Sequence, residues 1–270
     1  MLDVKISVVM PAYNEAQHIF RNLREAVDTL HDLHLNFEII LVDDGSPDKT
    51  YLAAARLLVN EPDRVRIVRY ETNQGKGGAL VCGSSYARGD YIVFLDADMD
   101  LHPIQLPVLL EMMATNNADA VIGSKFHCGS RVTYPIMRRV YSMGYYGLIR
   151  VLFGLPLKDT QTGIKVFKSK VLQDVLPLVT TKGFAFDIEL LARAYKQGYK
   201  LVDAPVTLNF QRQTNRVSFR DVWQVLRDTL RVFWMINVVQ ADPQMGDAHL
   251  VSREIRSDEL PQMLEEATSA

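Results

Sequence analysis

A chain of 270 residues is long enough for one large α/β domain or two small ones, and its 48% of hydrophobic residues provides for a sizeable core. No segment reaches the roughly 18 consecutive apolar residues that a membrane-spanning helix needs, so no such helix is predicted. The two cysteines, Cys82 and Cys128, show no metal or redox spacing, so no disulfide framework is predicted. The net charge of −2 hides an uneven distribution. Residues 1–124 are acidic, with 10 basic and 18 acidic side chains, whereas residues 125–170 are basic, with 9 basic side chains and Asp159 as the one acid. This difference suggests separate tasks for the two segments.

The first half of the chain alternates short apolar runs with helical patterns. Helices are predicted at 16–33 and 49–59, and the apolar runs are predicted as buried strands at 6–10, 38–42, 65–68, 91–95 and 118–122. Such alternation is typical of an α/β fold. It predicts a doubly wound, mostly parallel sheet with helices on both faces.

After residue 124 the alternation stops. Helices are predicted at 138–153, 183–197 and 221–239, and a strand at 201–210. The tail from Gln240 is polar and acidic, and we expect it to be mobile. We therefore expect one domain over residues 1–220, an amphipathic helix at 221–239, and a mobile tail at 240–270. Residues 1–11 have no long apolar core or cleavage site, so no signal peptide is predicted.

Polar clusters follow three of the predicted strands. These clusters are Tyr13-Asn14-Glu15, Asp43-Asp44 and Asp96-Ala97-Asp98-Met99-Asp100. Ligands of open α/β sheets bind at the carboxyl ends of the strands, so the three clusters predict one site. Neighbouring carboxylates at a strand end favour a hard divalent cation, Mg²⁺ or Mn²⁺, which also bridges phosphates. The alternative is a loop of solvated acids that caps the next helix.

Seven motifs occur together in one order along residues 4–220. They are Pro11-Ala-Tyr-Asn-Glu15, Asp43-Asp-Gly-Ser46, Asn73-Gln-Gly-Lys-Gly-Gly-Ala79, Asp96-Ala-Asp98, Gly123-Ser-Lys125, Asp159-Thr-Gln-Thr-Gly-Ile-Lys165 and Phe186-Asp-Ile-Glu-Leu190. The set resembles the signature of family 2 glycosyltransferases with the GT-A fold. Within them it resembles the dolichyl- or polyprenyl-phosphate mannose and glucose synthases. The resemblance implies a nucleotide-diphospho-sugar donor and a polyprenyl-phosphate acceptor, with no nucleic-acid partner.

The resemblance also implies roles for individual residues. Asp98 and Asp100 meet the metal. Arg138 and Ser142 grip the acceptor phosphate, with Arg139 as the competing arginine. Lys125 stands where relatives often have arginine, so it keeps the charge and loses the bidentate fork. Arg212 and Arg216 with Ser218 are candidates for a further acceptor contact. Residues implied for the nucleotide and its sugar are Pro11, Ala12, Tyr13, Glu15, Asp43 or Asp44, Gly75, Lys76, Asp96 and Ala97.

Asp187 lies where hydroxyl-using relatives keep a base. A lipid monophosphate is largely ionised near neutral pH, because its second pKa is about 6, and it needs no general base. A sugar hydroxyl does need one. Asp187 is therefore a base, a positioning group, or an acid stabilised near the start of a helix. Direct attack by the acceptor implies inversion at the anomeric carbon.

The predicted helix at 221–239 bears on the membrane. Arginines 212, 216, 220, 227 and 231 flank Trp223, Phe233, Trp234, Met235 and Ile236, a mixture that favours an interfacial helix. The alternative is a helix packed against the catalytic domain. We expect a peripheral protein at the cytoplasmic side of a membrane, held there directly or through a membrane-anchoring partner protein.

Two other functions compete with transfer to a lipid phosphate. One is transfer to a hydroxyl of a glycan or small soluble acceptor. The other is a non-enzymatic module that binds a nucleotide sugar. The presence of all the acids of the predicted metal site argues against this second function. Motifs at 75–79 and 186–191 favour the glucosyl branch, but the choice between UDP-glucose and GDP-mannose stays open.

Overall fold

A computed structural model of the protein describes residues 5–59, 61–132, 136–183, 185–208, 219–239, 252–255 and 259. Side chains at 59, 136–142, 219–224, 238 and 239 are not described. Arg138, Arg139 and Ser142 therefore have a described helical backbone only, and Arg212, Arg216 and Ser218 lie outside the described residues. So does most of the predicted tail.

The described part of the chain contains ten strands and eight α-helices. The strands are β1 (Lys5–Ala12), β2 (Asn36–Asp44), β3 (Val65–Tyr70), β4 (Tyr91–Leu95), β5 (Ala120–Ser124), β6 (Arg131–Val132), β7 (Ile164–Lys168), β8 (Leu201–Pro205), β9 (Thr207–Leu208) and β10 (Arg253–Ile255). The helices are α1 (Ile19–Asp32), α2 (Thr50–Ala55), α3 (Gly75–Tyr86), α4 (Leu106–Thr115), α5 (Ile136–Phe153), α6 (Ser169–Val175), α7 (Phe186–Lys196) and α8 (Phe219–Trp234). A five-residue π-helical turn, Met235–Val239, continues α8.

The chain forms two compact units. The first comprises residues 1–99 and 248–270, and the second residues 100–247. The domain boundaries predicted at 220 and 239 remain predictions.

The sheet of the first unit has the strand order β10-β3-β2-β1-β4. β1 pairs in parallel with β2 and β4, and β2 pairs in parallel with β3. Side chains such as Val8, Val9 and Ile39 are fully buried, as expected for strands covered on both faces. All four carboxyl ends of β1 to β4 therefore point to the same edge, where the predicted acids follow.

β10 was not predicted from the sequence. It pairs antiparallel with the edge strand β3, and Ile255 is 4% exposed. The Arg66 guanidinium donates to both carboxylate oxygens of Glu254, at 2.7 Å and 3.0 Å. Residues 253–255 of the predicted tail are thus an ordered strand, because a buried isoleucine and a bidentate ion pair hold them.

The sheet of the second unit has the order β7-β5-β8. β8 is parallel to β5 and β7 is antiparallel to it. The small parallel pair β6-β9 lies apart from it. With five parallel and two antiparallel described pairings, the predicted α/β, mostly parallel fold class is confirmed.

α8 has two different faces. Thr229 and Val232 are fully buried and Ile236 is 6% exposed, while Leu230 is 46% and Trp234 60% exposed. One face of α8 therefore packs inward and the other faces solvent, and the interfacial role of the exposed face remains a prediction. Among the described residues, no helix has the length and apolar character needed to cross a bilayer.

Candidate functional site

A cavity that is open to solvent lies at the carboxyl edge of the first unit's sheet. It is lined by Pro11, Ala12, Tyr13, Glu15, Asp44, Lys76, Asp96, Ala97 and Asp98. These residues come from four separate segments: the end of β1 with the loop after it, the end of β2, the turn after β4, and the start of α3. Because parallel strands end at one edge, residues 85 positions apart in the sequence meet here.

Backbone amides fix the loop after β1. The amide of Asn14 donates to Ser46 Oγ at 3.1 Å, that of Glu15 to Thr50 Oγ1 at 2.9 Å, and that of Ala16 to Asp48 Oδ2 at 3.1 Å. Three consecutive amides thus bind side chains of the segment after β2. The loop that carries Tyr13 is rigid for this reason, and the Tyr13 side chain stays 46% exposed at the cavity.

Asp44 fixes the turn that leads into α3. Its Oδ1 accepts from the Gln74 amide at 2.7 Å, and its backbone oxygen accepts from Asn73 Nδ2 at 3.1 Å. Gly45 has φ +64°, and a Cβ there would lie 2.7 Å from the Asn73 nitrogen and 2.9 Å from the Glu71 oxygen. A glycine is therefore required where the two turns pack against each other.

Lys76 lies in the first turn of α3 and points at the acids after β4. Its Nζ is 2.5 Å from Asp96 Oδ1, with both side chains about one third exposed. Asn22 Nδ2 donates to the Ala97 oxygen at 2.9 Å and so holds the Asp96–Asp98 turn against α1. The cavity thus contains four carboxylates, those of Glu15, Asp44, Asp96 and Asp98, and the ammonium group of Lys76.

Three of the predicted donor and metal residues lie apart from the lining. Asp43 is fully buried: its Oδ1 accepts from the Ser46 amide at 3.1 Å, and its Oδ2 is 3.6 Å from Arg69 Nε. Burial raises the pKa of the Asp43 carboxyl, against the lowering effect of Ser46. Gly75 starts α3 with φ +80°, and Asp100 begins the second unit. Of the pair Asp43 and Asp44, only Asp44 lines the cavity.

The acidic cavity fits a divalent cation that a phosphate helps to hold. Within the described ranges, no three His, Cys, Asp or Glu side chains form a ready set of metal ligands. Mg²⁺ typically uses one or two carboxylates and completes its shell with substrate phosphates and water. Asp98 supplies such a carboxylate at the cavity.

The second unit contains a cavity, partly open to solvent, at the carboxyl end of β5. It is lined by Lys125, Phe126, Tyr145, Tyr146, Ile149, Leu157, Lys158, Asp159, Thr160 and Gln161. Its cationic residues are lysines, and five of the ten lining side chains are aromatic or aliphatic. The cavity therefore suits an anion that is joined to an apolar group.

Asp159 organises this second cavity. Its Oδ2 accepts from the Lys125 amide at 3.2 Å and lies 3.5 Å from Lys125 Nζ, while its Oδ1 accepts from the Gln161 amide at 3.1 Å. The hydroxyl of Tyr145, another lining residue, is 3.0 Å from Thr229 Oγ1, which ties α5 to α8. Burial raises the pKa of Tyr145 to about 12, so its hydroxyl stays protonated at neutral pH.

Asp187 does not line either cavity. Its Oδ1 accepts from Lys165 Nζ at 2.7 Å, and both side chains are almost fully buried. Lys165 Nζ also donates to the Thr162 oxygen at 2.6 Å. The sequence motifs predict a role for Asp187 but not its pairing with Lys165, since a lysine in a short strand is usually at the surface.

Comparisons with known proteins decide the family. The glycosyl transferase family 2 model matches residues 7–176. This chain belongs to glycosyl transferase family 2. The family predicted from the motifs is thereby confirmed.

Similar proteins of known name agree with the family. Polyprenol monophosphomannose synthase from Mycolicibacterium smegmatis is 34% identical over 205 residues, which cover 74% of this chain and 76% of the relative. Dolichyl-phosphate beta-glucosyltransferase from Dictyostelium discoideum is 27% identical over 244 residues, covering 85% and 74%. Glycosyltransferase AglD from Haloferax volcanii is 33% identical, and the match covers 87% of this chain but 38% of that longer protein.

Solved structures confirm the GT-A fold. Glucosyl-3-phosphoglycerate synthase from Mycobacterium tuberculosis, solved with Mn²⁺, uridine diphosphate and phosphoglyceric acid, superposes with a TM-score of 0.62. The alignment covers 86% of this chain and 78% of that one at 21% identity. At this identity the likeness establishes the fold.

Proposed function

We propose that this chain is an inverting hexosyltransferase that moves a hexose from a nucleotide diphosphate to a dolichyl or polyprenyl phosphate. The main support for this proposal is that the first unit contains an acidic cavity at its strand ends and the second unit contains a basic cavity with aromatic walls. An acidic cavity accepts a cation together with a diphosphate, and a basic aromatic cavity accepts a phosphate with an apolar tail. The names of two relatives include a polyprenol or a dolichyl phosphate, which supports this acceptor class.

The acidic cavity is the proposed donor site. The exposed Tyr13 ring offers a surface on which a nucleobase stacks, and Asp44 and Asp96 offer acceptors for its ribose and base. Lys76, whose Nζ is 2.5 Å from Asp96, lines the same cavity, and its ammonium group is the proposed counter-charge for the bound diphosphate. Asp98 with Asp100 would hold Mg²⁺ or Mn²⁺, which when bound neutralises the charge that develops on the leaving diphosphate.

The basic cavity is the proposed acceptor site. Lys125 and Lys158 offer ammonium groups to the lipid phosphate, and Arg138 and Ser142 on α5 remain proposed phosphate contacts. Tyr145, Ile149 and Leu157 provide an apolar wall for the first carbons of the lipid. A soluble sugar acceptor has no apolar segment that would use this wall.

The acceptor phosphate supplies its own nucleophile. Because it is largely ionised near neutral pH, its oxygen attacks the anomeric carbon without losing a proton. Asp187 is engaged with the buried Lys165, and in this proposal it supports the fold and takes no proton. Attack from the face opposite the departing diphosphate inverts the anomeric centre.

We further propose that α8 holds the protein at a membrane surface. Arg227, Leu230, Arg231 and Trp234, here called the α8 stripe, are spaced three and four residues apart and are exposed along one helix face. Exposed arginines beside a leucine and a tryptophan are typical of helices that lie in the headgroup region. The stripe binds anionic lipid directly, and a membrane-anchoring partner protein is the alternative.

A donor–acceptor screen tests the proposed function. Purified protein with Mn²⁺ is offered UDP-glucose or GDP-mannose, together with a short polyprenyl phosphate, the matching polyprenol, or a panel of soluble sugars. We expect a glycosylated polyprenyl phosphate from one of the two donors and no product from the polyprenol. Transfer to a sugar hydroxyl, with the lipid phosphate ignored, would establish the alternative acceptor class.

A further inference from the structure

Asp203 lies in β8, behind the loop that lines the basic cavity. Its Oδ2 accepts from the Lys158 amide at 2.9 Å, and Lys158 is the residue immediately before Asp159. Its Oδ1 is buried and has no hydrogen-bond partner among the described residues. A lone acid in the apolar strand Leu201-Val-Asp-Ala-Pro205 is the only trace of this arrangement in the sequence.

A continuous set of contacts connects Asp203 with Lys125. Asp203 holds the Lys158 amide, and the next residue, Asp159, holds the amides of Lys125 and Gln161 and pairs with Lys125 Nζ at 3.5 Å. Lys125, Lys158, Asp159 and Gln161 all line the basic cavity. Any shift of the Lys158 amide therefore moves the carboxylate that orients Lys125.

The ionised Asp203 costs stability. Burial raises its pKa to about 6, against the lowering effect of the Lys158 amide, and the neighbouring charge of Asp159 raises it further. Because the folded-state pKa lies above the unfolded value of 3.8, the stability from this group is present below pH 3.8 and is lost as pH rises through 6. At neutral pH a neutral side chain of the same shape would therefore make the fold more stable than the ionised Asp203 does. Buried charged groups that lower the stability of the fold are found mainly at functional sites.

We propose that Asp203 is a positioning residue for the acceptor: its carboxylate fixes the Lys158–Gln161 loop so that Lys125 is presented to the acceptor phosphate. This inference rests on the proposed function of the basic cavity. Asp203 does not touch the acceptor itself and acts through the Lys158 amide.

The test compares Asp203→Asn with two other variants of the full chain. Asn keeps the shape but replaces a charge-assisted hydrogen bond by a neutral one, so we expect the acceptor KM to rise about tenfold. The donor KM and the Tm at pH 7.5 should be unchanged, or the Tm higher. Binding of a short polyprenyl phosphate, measured by titration calorimetry, should weaken by a similar factor, which gives a readout independent of turnover.

Asp119→Asn is the matched control in the same unit. Asp119 also accepts from a backbone amide, that of Lys200 at 2.9 Å, and pairs with Lys168 at 2.9 Å. Although partial burial raises its pKa, the bonds from Lys200 and Lys168 lower it below 3.8 overall, so its charge stabilises the fold. This variant should lower the Tm and leave the acceptor KM unchanged.

Lys125→Ala separates the two levels of the inference. If it weakens acceptor binding and Asp203→Asn does not, the role of Asp203 is wrong and the acceptor site stands. If neither variant affects acceptor binding, or the wild-type protein binds no polyprenyl phosphate, the basic cavity is not the acceptor site. A lower Tm with equal rises in donor and acceptor KM for Asp203→Asn would make Asp203 a purely structural residue.

Discussion

Lys165 Nζ lies 2.7 Å from Asp187 Oδ1, and the two side chains are 2% and 6% exposed. A buried ion pair is costly to break, because removing one charge leaves the other without a counter-charge in a poorly polarisable environment. Asp187 stands at the position where a general base was one of the sequence-based alternatives. Its engagement with Lys165 favours a structural role.

Asp187→Asn is therefore expected to destabilise the protein by about 3–5 kcal/mol, the typical cost of breaking a buried pair. The kcat of the folded protein should fall far less than the roughly 10²–10⁴-fold expected for the loss of a general base. Thermal unfolding and initial rates below the transition measure the two effects separately. Asp28→Asn, which breaks the exposed pair of Asp28 with Arg24 at 3.7 Å, is the control and should leave the Tm nearly unchanged. A stable Asp187→Asn protein with a rate loss in the base range would restore the general-base assignment.

Asp98→Asn should abolish transfer and leave the Tm nearly unchanged, because this half-buried carboxylate is proposed to bind the metal and not to support the core. EDTA should have the same effect on the wild type, and added Mn²⁺ or Mg²⁺ should restore the rate. Asp90→Asn is the control at the other end of β4, where Asp90 accepts from the Lys5 amide, and it should remain active. Full wild-type activity in EDTA would exclude the metal.

Lys76→Ala should raise the donor KM about tenfold, since it removes one charged hydrogen-bond donor from the diphosphate. The acceptor KM should not change. Lys49→Ala removes an exposed lysine of the same unit that does not line the cavity, and it should leave both constants unchanged. Donor-saturation curves at fixed acceptor give the result, and an unchanged donor KM would remove Lys76 from the donor site.

The α8 stripe should bind vesicles that contain anionic lipid, and binding should weaken as salt rises, because each basic residue near such a surface contributes about 1 kcal/mol. Trp234→Ala should weaken co-sedimentation further. Tyr195→Ala, which removes an exposed aromatic side chain of α7, is the control and should bind like the wild type. If the wild type ignores anionic vesicles at low salt, the stripe is not a membrane surface.

Sequence patterns predicted the first unit well. β4 has the predicted bounds, Tyr91–Leu95, since continuous apolar runs between polar turns leave few alternatives. The acids that follow these strands meet in one cavity because strand polarity alone places them there. That part of the site follows from local patterns.

The second unit depends on long-range pairing that a local pattern does not contain. β7 contains Lys165 at a fully buried position, which breaks the apolar run, and its partner Asp187 lies 22 residues later. The basic cavity combines the end of β5 with one face of α5, and the link from Asp203 to Lys125 passes through a backbone amide. Neither the aromatic walls nor Asp203 has a short motif that predicts it.

The edge strand β10 has a consequence for synthesis of the chain. Arg66 and Glu254 are 188 residues apart, and at about 5–20 residues per second Glu254 is made about 10–40 s after Arg66. During that interval the edge of β3 is exposed to other chains, and such an edge is a template for aggregation. The second unit, residues 100–247, is synthesised entirely within this interval, so ribosome-bound intermediates of this protein should depend on chaperones that shield a strand edge.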